Sequence, residues 1–104
     1  MNKIIITNSN AEWVNASGTS ERSPRCKCGT WKHHWENFSN EEWPDECSVK
    51  GCKRKAVLGA HIHKTGERKE YIAPFCDSHN KIDELFALKI ATVIVNANKS
   101  ETCG

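Results

Sequence analysis

Two pairs of residues in the second half of the chain have a spacing suited to binding one metal ion. Four residues separate Cys47 from Cys52, and two residues separate Cys76 from His79. Zinc takes four sulfur or nitrogen ligands at the corners of a tetrahedron. A tight turn presents the first pair, and a helix start presents the second, because helix positions i and i+3 share a face. The pattern predicts a structural zinc site, and burial of the cysteines as small apolar side chains is the alternative.

The other cysteines suggest a second site of the same kind. Cys26, Cys28 and Cys103 would complete a Cys3His set with a histidine that follows the first two. His34 is preferred over His33 because it lies on the aromatic side of the short helix predicted there. Histidine among thiolates favours zinc over iron. We therefore expect two Zn²⁺ ions per chain, and the alternative is a free Cys103 with no metal at the other two cysteines.

The elements that must position these ligands are short. Apolar β-branched runs predict strands at residues 3–7, 56–64, 69–75 and 91–97, and helical spacing of large apolar residues predicts helices at 30–38 and 77–88. In the second helix, Ile82, Leu85 and Phe86 form the predicted apolar face. A knuckle turn, a β-hairpin and a helix around one zinc ion, in that order, make a treble clef. We predict a small zinc-stabilised α+β domain of treble-clef type, with an extra short helix and terminal strands.

A chain of 104 residues suggests one domain. We divide it into an irregular N-terminal arm with a short strand (1–25), a Trp-rich helix with an acidic connector (26–46), the treble-clef core (47–88), and a strand with the C-terminal tail (89–104). Because only 38% of the residues are hydrophobic, the core is small and bound metal should add to its stability. The N-terminal apolar run is too short for a signal peptide, and no run could span a membrane. We expect a cytoplasmic protein with metal-bound thiolates, whereas a secreted protein would pair its cysteines as disulfides.

Charge is unevenly distributed along the chain. Residues 50–70 hold seven basic residues and only two glutamates. The basic residues are Lys50, Lys53, Arg54, Lys55, Lys64, Arg68 and Lys69. Such a stretch on a metal-bound hairpin is suited to nucleic-acid phosphates, and a solvated surface is the alternative. Residues 36–46 are acidic, and with an exposed Trp43 they would suit a protein partner.

Two short motifs resemble the HNH nuclease family, which builds its active site on a treble clef. They are GAHI at residues 59–62 and CDSHN at 76–80. The resemblance implies that His61 is the general base that activates water, and that Asn80 helps to hold a divalent ion against the scissile phosphate. The chain departs from the family at Ala60, where an aspartate is usual, and at Tyr71, near the position of the middle asparagine. The segments CKCGTWKHHW and VNANKSETCG look like parts of small cysteine-rich bacterial or phage proteins.

Two functions compete on this basis. The first is a non-catalytic zinc-binding module that binds a nucleic acid or a protein partner, as a regulatory or inhibitory protein of a phage or bacterium would. It is preferred because the catalytic set is incomplete, which favours binding over catalysis. The second is a metal-dependent HNH-like endonuclease that uses His61. A purely structural subunit is a third class, and no motif indicates a small-molecule substrate or a membrane partner.

Overall fold

The fold is an antiparallel sheet with short helices, seen in a computed structural model that describes residues 3–16 and 29–98. The strands are β1 (Lys3–Ile5), β2 (Trp13–Asn15), β3 (Leu58–Lys64), β4 (Glu70–Phe75) and β5 (Val93–Asn96), and the helices are α1 (Trp31–Ser39) and α2 (Asp77–Asn80). The sheet order is β1-β5-β4-β3-β2, with every neighbouring pair antiparallel. The predicted α+β class is confirmed. The second strand lies in the segment that was predicted to be an irregular arm.

The predicted hairpin forms the centre of the sheet. The pairing of β3 with β4 runs from Leu58 opposite Phe75 to His63 opposite Glu70. The chain reverses near Gly66, whose φ of 82° favours glycine. Strand side chains alternate between faces, so Ala60 and Ile62 point to one side and His61 to the other. The hairpin therefore separates the molecule into two layers.

Each face of the sheet carries its own apolar cluster. One face packs against loops and α2, and its buried residues include Ile62, Phe75, Phe86 and Leu88. The opposite face carries α1, with Trp35 buried against β4 and β5. A larger layer of loops thus lies on one side and a single helix on the other.

Helix α1 matches the predicted span within one residue. It begins after Thr30, whose hydroxyl accepts the His33 backbone N–H at 3.1 Å. It ends at Asn40, which has a left-handed φ of 58°. The Trp35 indole N–H donates to the Val93 carbonyl at 2.9 Å and fixes the helix on the sheet.

The predicted second helix is wrong beyond Asn80. Helix α2 has four residues, and the following chain is irregular, with isolated β-bridges at Phe86 and Leu88. These two side chains are buried and stand two positions apart, which is strand periodicity, whereas Leu85 is 54% exposed. Tertiary packing of this alternating pair outweighs the helical spacing of the segment. No helix in the described ranges is long and apolar enough to cross a membrane.

Candidate metal centre

The first two cysteines lie on a narrow loop closed by backbone hydrogen bonds. The Cys47 N–H donates to the Arg54 carbonyl at 2.8 Å, and the Cys52 N–H donates to the Val49 carbonyl at 3.0 Å. Gly51 has a φ of 83°, a conformation that glycine adopts without steric cost. The loop therefore holds both sulfurs on the same side of the turn. We call residues 46–55 the knuckle, because Glu46 and Lys55 form an antiparallel bridge at its base.

The second pair lies where β4 runs into α2. Cys76 is the N-cap residue of this helix, and its Sγ accepts the backbone N–H of His79 at 3.4 Å. The His79 Nδ1 lies 3.3 Å from the same sulfur. One helical turn is enough to bring positions i and i+3 together, so the short α2 still positions both ligands.

The four side chains meet at one point. The Cys47 Sγ lies 3.7 Å from the His79 Nδ1, and the Cys52 and Cys76 sulfurs are 4.0 Å apart. All four ligand atoms fall within 4.8 Å of one another. Zinc bond lengths of about 2.3 Å to sulfur and 2.0 Å to nitrogen give tetrahedral edges of about 3.8 Å between two sulfurs and about 3.5 Å between sulfur and nitrogen. The predicted set of four residues is therefore brought together with spacing that a tetrahedral ion can occupy.

The three cysteines of this cluster are buried and are not joined as disulfides. Burial raises the pKa of Cys47 to about 11, which disfavours an isolated thiolate there. Burial also acts to raise the pKa of Cys76, but the His79 backbone N–H and the neighbouring thiols donate hydrogen bonds that lower it below its usual value. A bound cation would stabilise the thiolates at both positions, because metal ligation requires deprotonated sulfur.

Asn15 supports the cluster from β2. Its Nδ2 donates to the carbonyls of His79 and Ile82, at 2.8 and 3.0 Å. These carbonyls lie at and just beyond the end of α2, where the His79 carbonyl also accepts the Lys81 backbone N–H. The side chain thus ties the His79 backbone and the residues after α2 to β2. No sequence spacing pointed to this role, because Asn15 lies far from the ligands in the chain.

The predicted second site is only partly within the described residues. His34 is fully buried, and its Nε2 lies 2.8 Å from the Asn96 carbonyl, whereas His33 is exposed. Burial lowers the pKa of His34, and the Asn96 contact partly opposes that shift. Cys26, Cys28 and Cys103 lie outside the described residues. The expected inward orientation of His34 is present, and its membership of a metal site stays a prediction.

The two residues of the predicted catalytic pair are not brought together. His61 lies opposite Ile72 on the α1 face, with its ring 4.3 Å from that of Trp31. Asn80 belongs to α2, which Asn15 ties to the other face of the sheet. The sheet therefore stands between His61 and Asn80.

The seven basic residues form two groups instead of one. Lys50, Lys53, Arg54 and Lys55 are exposed on the knuckle, and we call them the knuckle patch. Lys64, Arg68 and Lys69 lie at the opposite end of the hairpin. The six residue steps of β3, from Leu58 to Lys64, separate the two ends of the hairpin, which is about 20 Å at the usual rise of a strand.

Trp43 is not the exposed contact residue that was expected. It is half-buried, its ring packs edge-on against Trp35 at 5.4 Å, and its indole N–H donates to the Ala56 carbonyl at 2.9 Å. The acidic connector is therefore fixed to the body of the domain at this point.

No protein-family model, curated protein or solved structure matches this chain.

Proposed function

We propose that the chain is a non-catalytic zinc-binding module of treble-clef type that binds nucleic acid through the knuckle patch. The observation that carries the proposal is the cluster of Cys47, Cys52, Cys76 and His79 with tetrahedral spacing. Three thiolates and one imidazole favour zinc over harder cations. The order of knuckle, hairpin and helix start supports a treble clef, in which the single turn of α2 replaces a full helix.

The charge of the knuckle supports the choice of partner. The ion pairs of the described ranges leave the four basic side chains of the knuckle patch without a carboxylate partner. Arg54 makes only a long contact to the Ser78 hydroxyl, at 3.4 Å. Because the metal would fix the loop that carries these side chains, they form a rigid cationic surface. Such a surface suits phosphates and gives an affinity that falls steeply with salt.

The separation of His61 from Asn80 favours binding over cleavage. A general base must lie within hydrogen-bond reach of the water that it activates, close to the ion that binds the phosphate. His61 packs against Trp31 on the far side of the sheet from α2. We expect the purified zinc protein to leave supercoiled plasmid intact with Mg²⁺, Mn²⁺ or Ni²⁺. Cleavage that is lost in His61→Ala with retained zinc would establish the HNH-like nuclease instead.

Fluorescence anisotropy with a short labelled duplex, measured over a series of salt concentrations, tests the proposed partner. We compare Lys53→Gln/Arg54→Gln with the matched pair Arg68→Gln/Lys69→Gln at the hairpin tip. Removal of two phosphate contacts should reduce the slope of log K against log salt by about 1.8. The tip variant should keep the original slope. Absence of binding at low salt, or equal losses in the two variants, would contradict the proposal.

A further inference from the structure

A groove runs along one side of the domain, beside the start of the knuckle. It lies between the connector that follows α1 and the turn that precedes β5, and its volume is about 370 Å³. Trp35 and Pro74 lie buried at its floor, and Ile90 and Val93 supply the more exposed apolar lining on the side of the turn. A cavity of this size with an apolar lining is in the range of ligand-binding clefts.

The rim of this groove is acidic. Glu41, Glu42 and Glu46 line it together with a single basic residue, Lys89. Glu41 pairs with Lys3 at 3.2 Å, and Glu46 pairs with Lys89 at 3.1 Å. Within the described ranges, Glu42 has no ion pair. Because two of the three glutamates are paired with lysines, the excess of negative charge beside the apolar lining comes from Glu42, whose carboxylate is complementary to a cationic partner.

The turn beside the groove holds a large apolar side chain in contact with water. Ile90 is 63% exposed, more than any other large hydrophobic residue of the described ranges. The next residue, Ala91, has a φ of 72°, which costs a residue with a Cβ about 1–2 kcal/mol. Its N–H donates to the Ile6 carbonyl at 2.7 Å, and the turn is closed by a 3.2 Å bond from the Thr92 N–H to the Lys89 carbonyl. The exposure of Ile90 thus belongs to a fixed turn and not to a loose loop.

We propose that this groove binds a basic peptide segment of a protein partner. One large aliphatic side chain of the peptide would pack against Ile90 and the apolar lining. Flanking lysine or arginine side chains would contact the glutamates, with Glu42 as the carboxylate that has no internal ion pair. The knuckle patch has the opposite charge, so the groove and the proposed nucleic-acid surface recognise different molecules. The peptide titration and the DNA-binding measurement therefore test the two proposals independently.

The test uses the zinc-loaded full chain labelled with ¹⁵N and titrated with the acetylated, amidated peptide Lys-Arg-Leu-Lys-Arg. We expect amide shift changes in the connector and in the turn around Ile90. Ile90→Ser should weaken binding about fivefold or more through lost apolar contact. Its matched control is Leu85→Ser, which removes another exposed aliphatic side chain and should leave binding unchanged. Glu42→Gln should weaken binding, whereas Glu84→Gln, a change at an exposed glutamate outside the groove, should not.

Three results would overturn the proposal. The first is equal binding of peptides in which serine replaces leucine, or glutamate replaces the basic residues. The second is the absence of shift changes at the groove at millimolar peptide. The third is sedimentation of the free protein as a dimer that Ile90→Ser dissociates, because a second copy of the chain would then cover the groove.

Discussion

Replacement of Gly59 by alanine tests whether α1 lies directly on the central strand. A Cβ at this position would stand 2.8 Å from the Ile72 Cγ2 and 2.8 Å from the carbonyl carbon of Trp31. Ordinary carbon contacts are about 3.5–4.0 Å long, so each neighbour must retreat by about 0.7 Å. Ile72 is fully buried, and the Trp31 atoms are backbone at the first turn of α1. The whole start of the helix must therefore move.

Overpacking of this kind costs about 1–3 kcal/mol. At the midpoint of about 2 kcal/mol, the melting temperature of a domain this small should fall by about 8–16 °C. Urea denaturation of the zinc-loaded protein, followed by tryptophan fluorescence and circular dichroism, measures the loss. Zinc content should be unchanged, because the Cys3His cluster lies on the other face of the sheet.

Gly66→Ala is the control for this substitution. Its Cβ would have no atom within 4 Å, so only the positive φ of 82° opposes the change, at a cost of about 1 kcal/mol. A Gly59→Ala protein at least as stable as Gly66→Ala would show that α1 does not cover this part of β3. The packing of the Trp31 ring against His61 would then be contradicted.

Three other substitutions test the local contacts. Asn15→Asp removes both side-chain N–H donors to the carbonyls beside α2, so it should lower the free energy of unfolding by about 1–3 kcal/mol and weaken zinc retention against a chelator. The loss should be larger than that of Asn15→Ala, and a larger loss in Asn15→Ala would contradict this. Ala91→Gly removes the Cβ from a residue with a φ of 72° and should raise the free energy of unfolding by up to about 1 kcal/mol. A lower free energy of unfolding in urea would refute the claim that this turn is strained. Trp43→Phe removes the indole N–H that donates to the Ala56 carbonyl and should lower the free energy of unfolding by about 1 kcal/mol in the same assay. An unchanged free energy of unfolding would show that this hydrogen bond does not hold Trp43 on the domain.

Short-range patterns predicted the hairpin, α1 and the four clustered ligands. The hairpin is marked by two β-branched runs around Gly66, and α1 by aromatic residues at helical spacing. The ligands were found because Cys76 and His79 need only one helical turn to meet. These features depend on residues close together in the chain, which a sequence displays directly.

Long-range packing decided the features that were missed. Residues 82–88 can be arranged on a helix, but Phe86 forms a bridge with Trp13, and Leu88 forms one with Val49. The role of Asn15 likewise depends on β2 joining β3, which no local pattern indicates. The basic residues looked continuous in sequence, yet the length of the hairpin divides them into two surfaces. Contacts between distant segments outweigh local propensity in each case.

Zinc content per chain, measured by native mass spectrometry, tests the central claim most directly. We compare the unmodified chain with Cys47→Ala/Cys76→Ala after identical purification in zinc. We expect the unmodified chain to hold one zinc ion more than the double variant, whether or not Cys26, Cys28, His34 and Cys103 bind another. Equal zinc content in the two proteins would contradict a metal centre at Cys47, Cys52, Cys76 and His79.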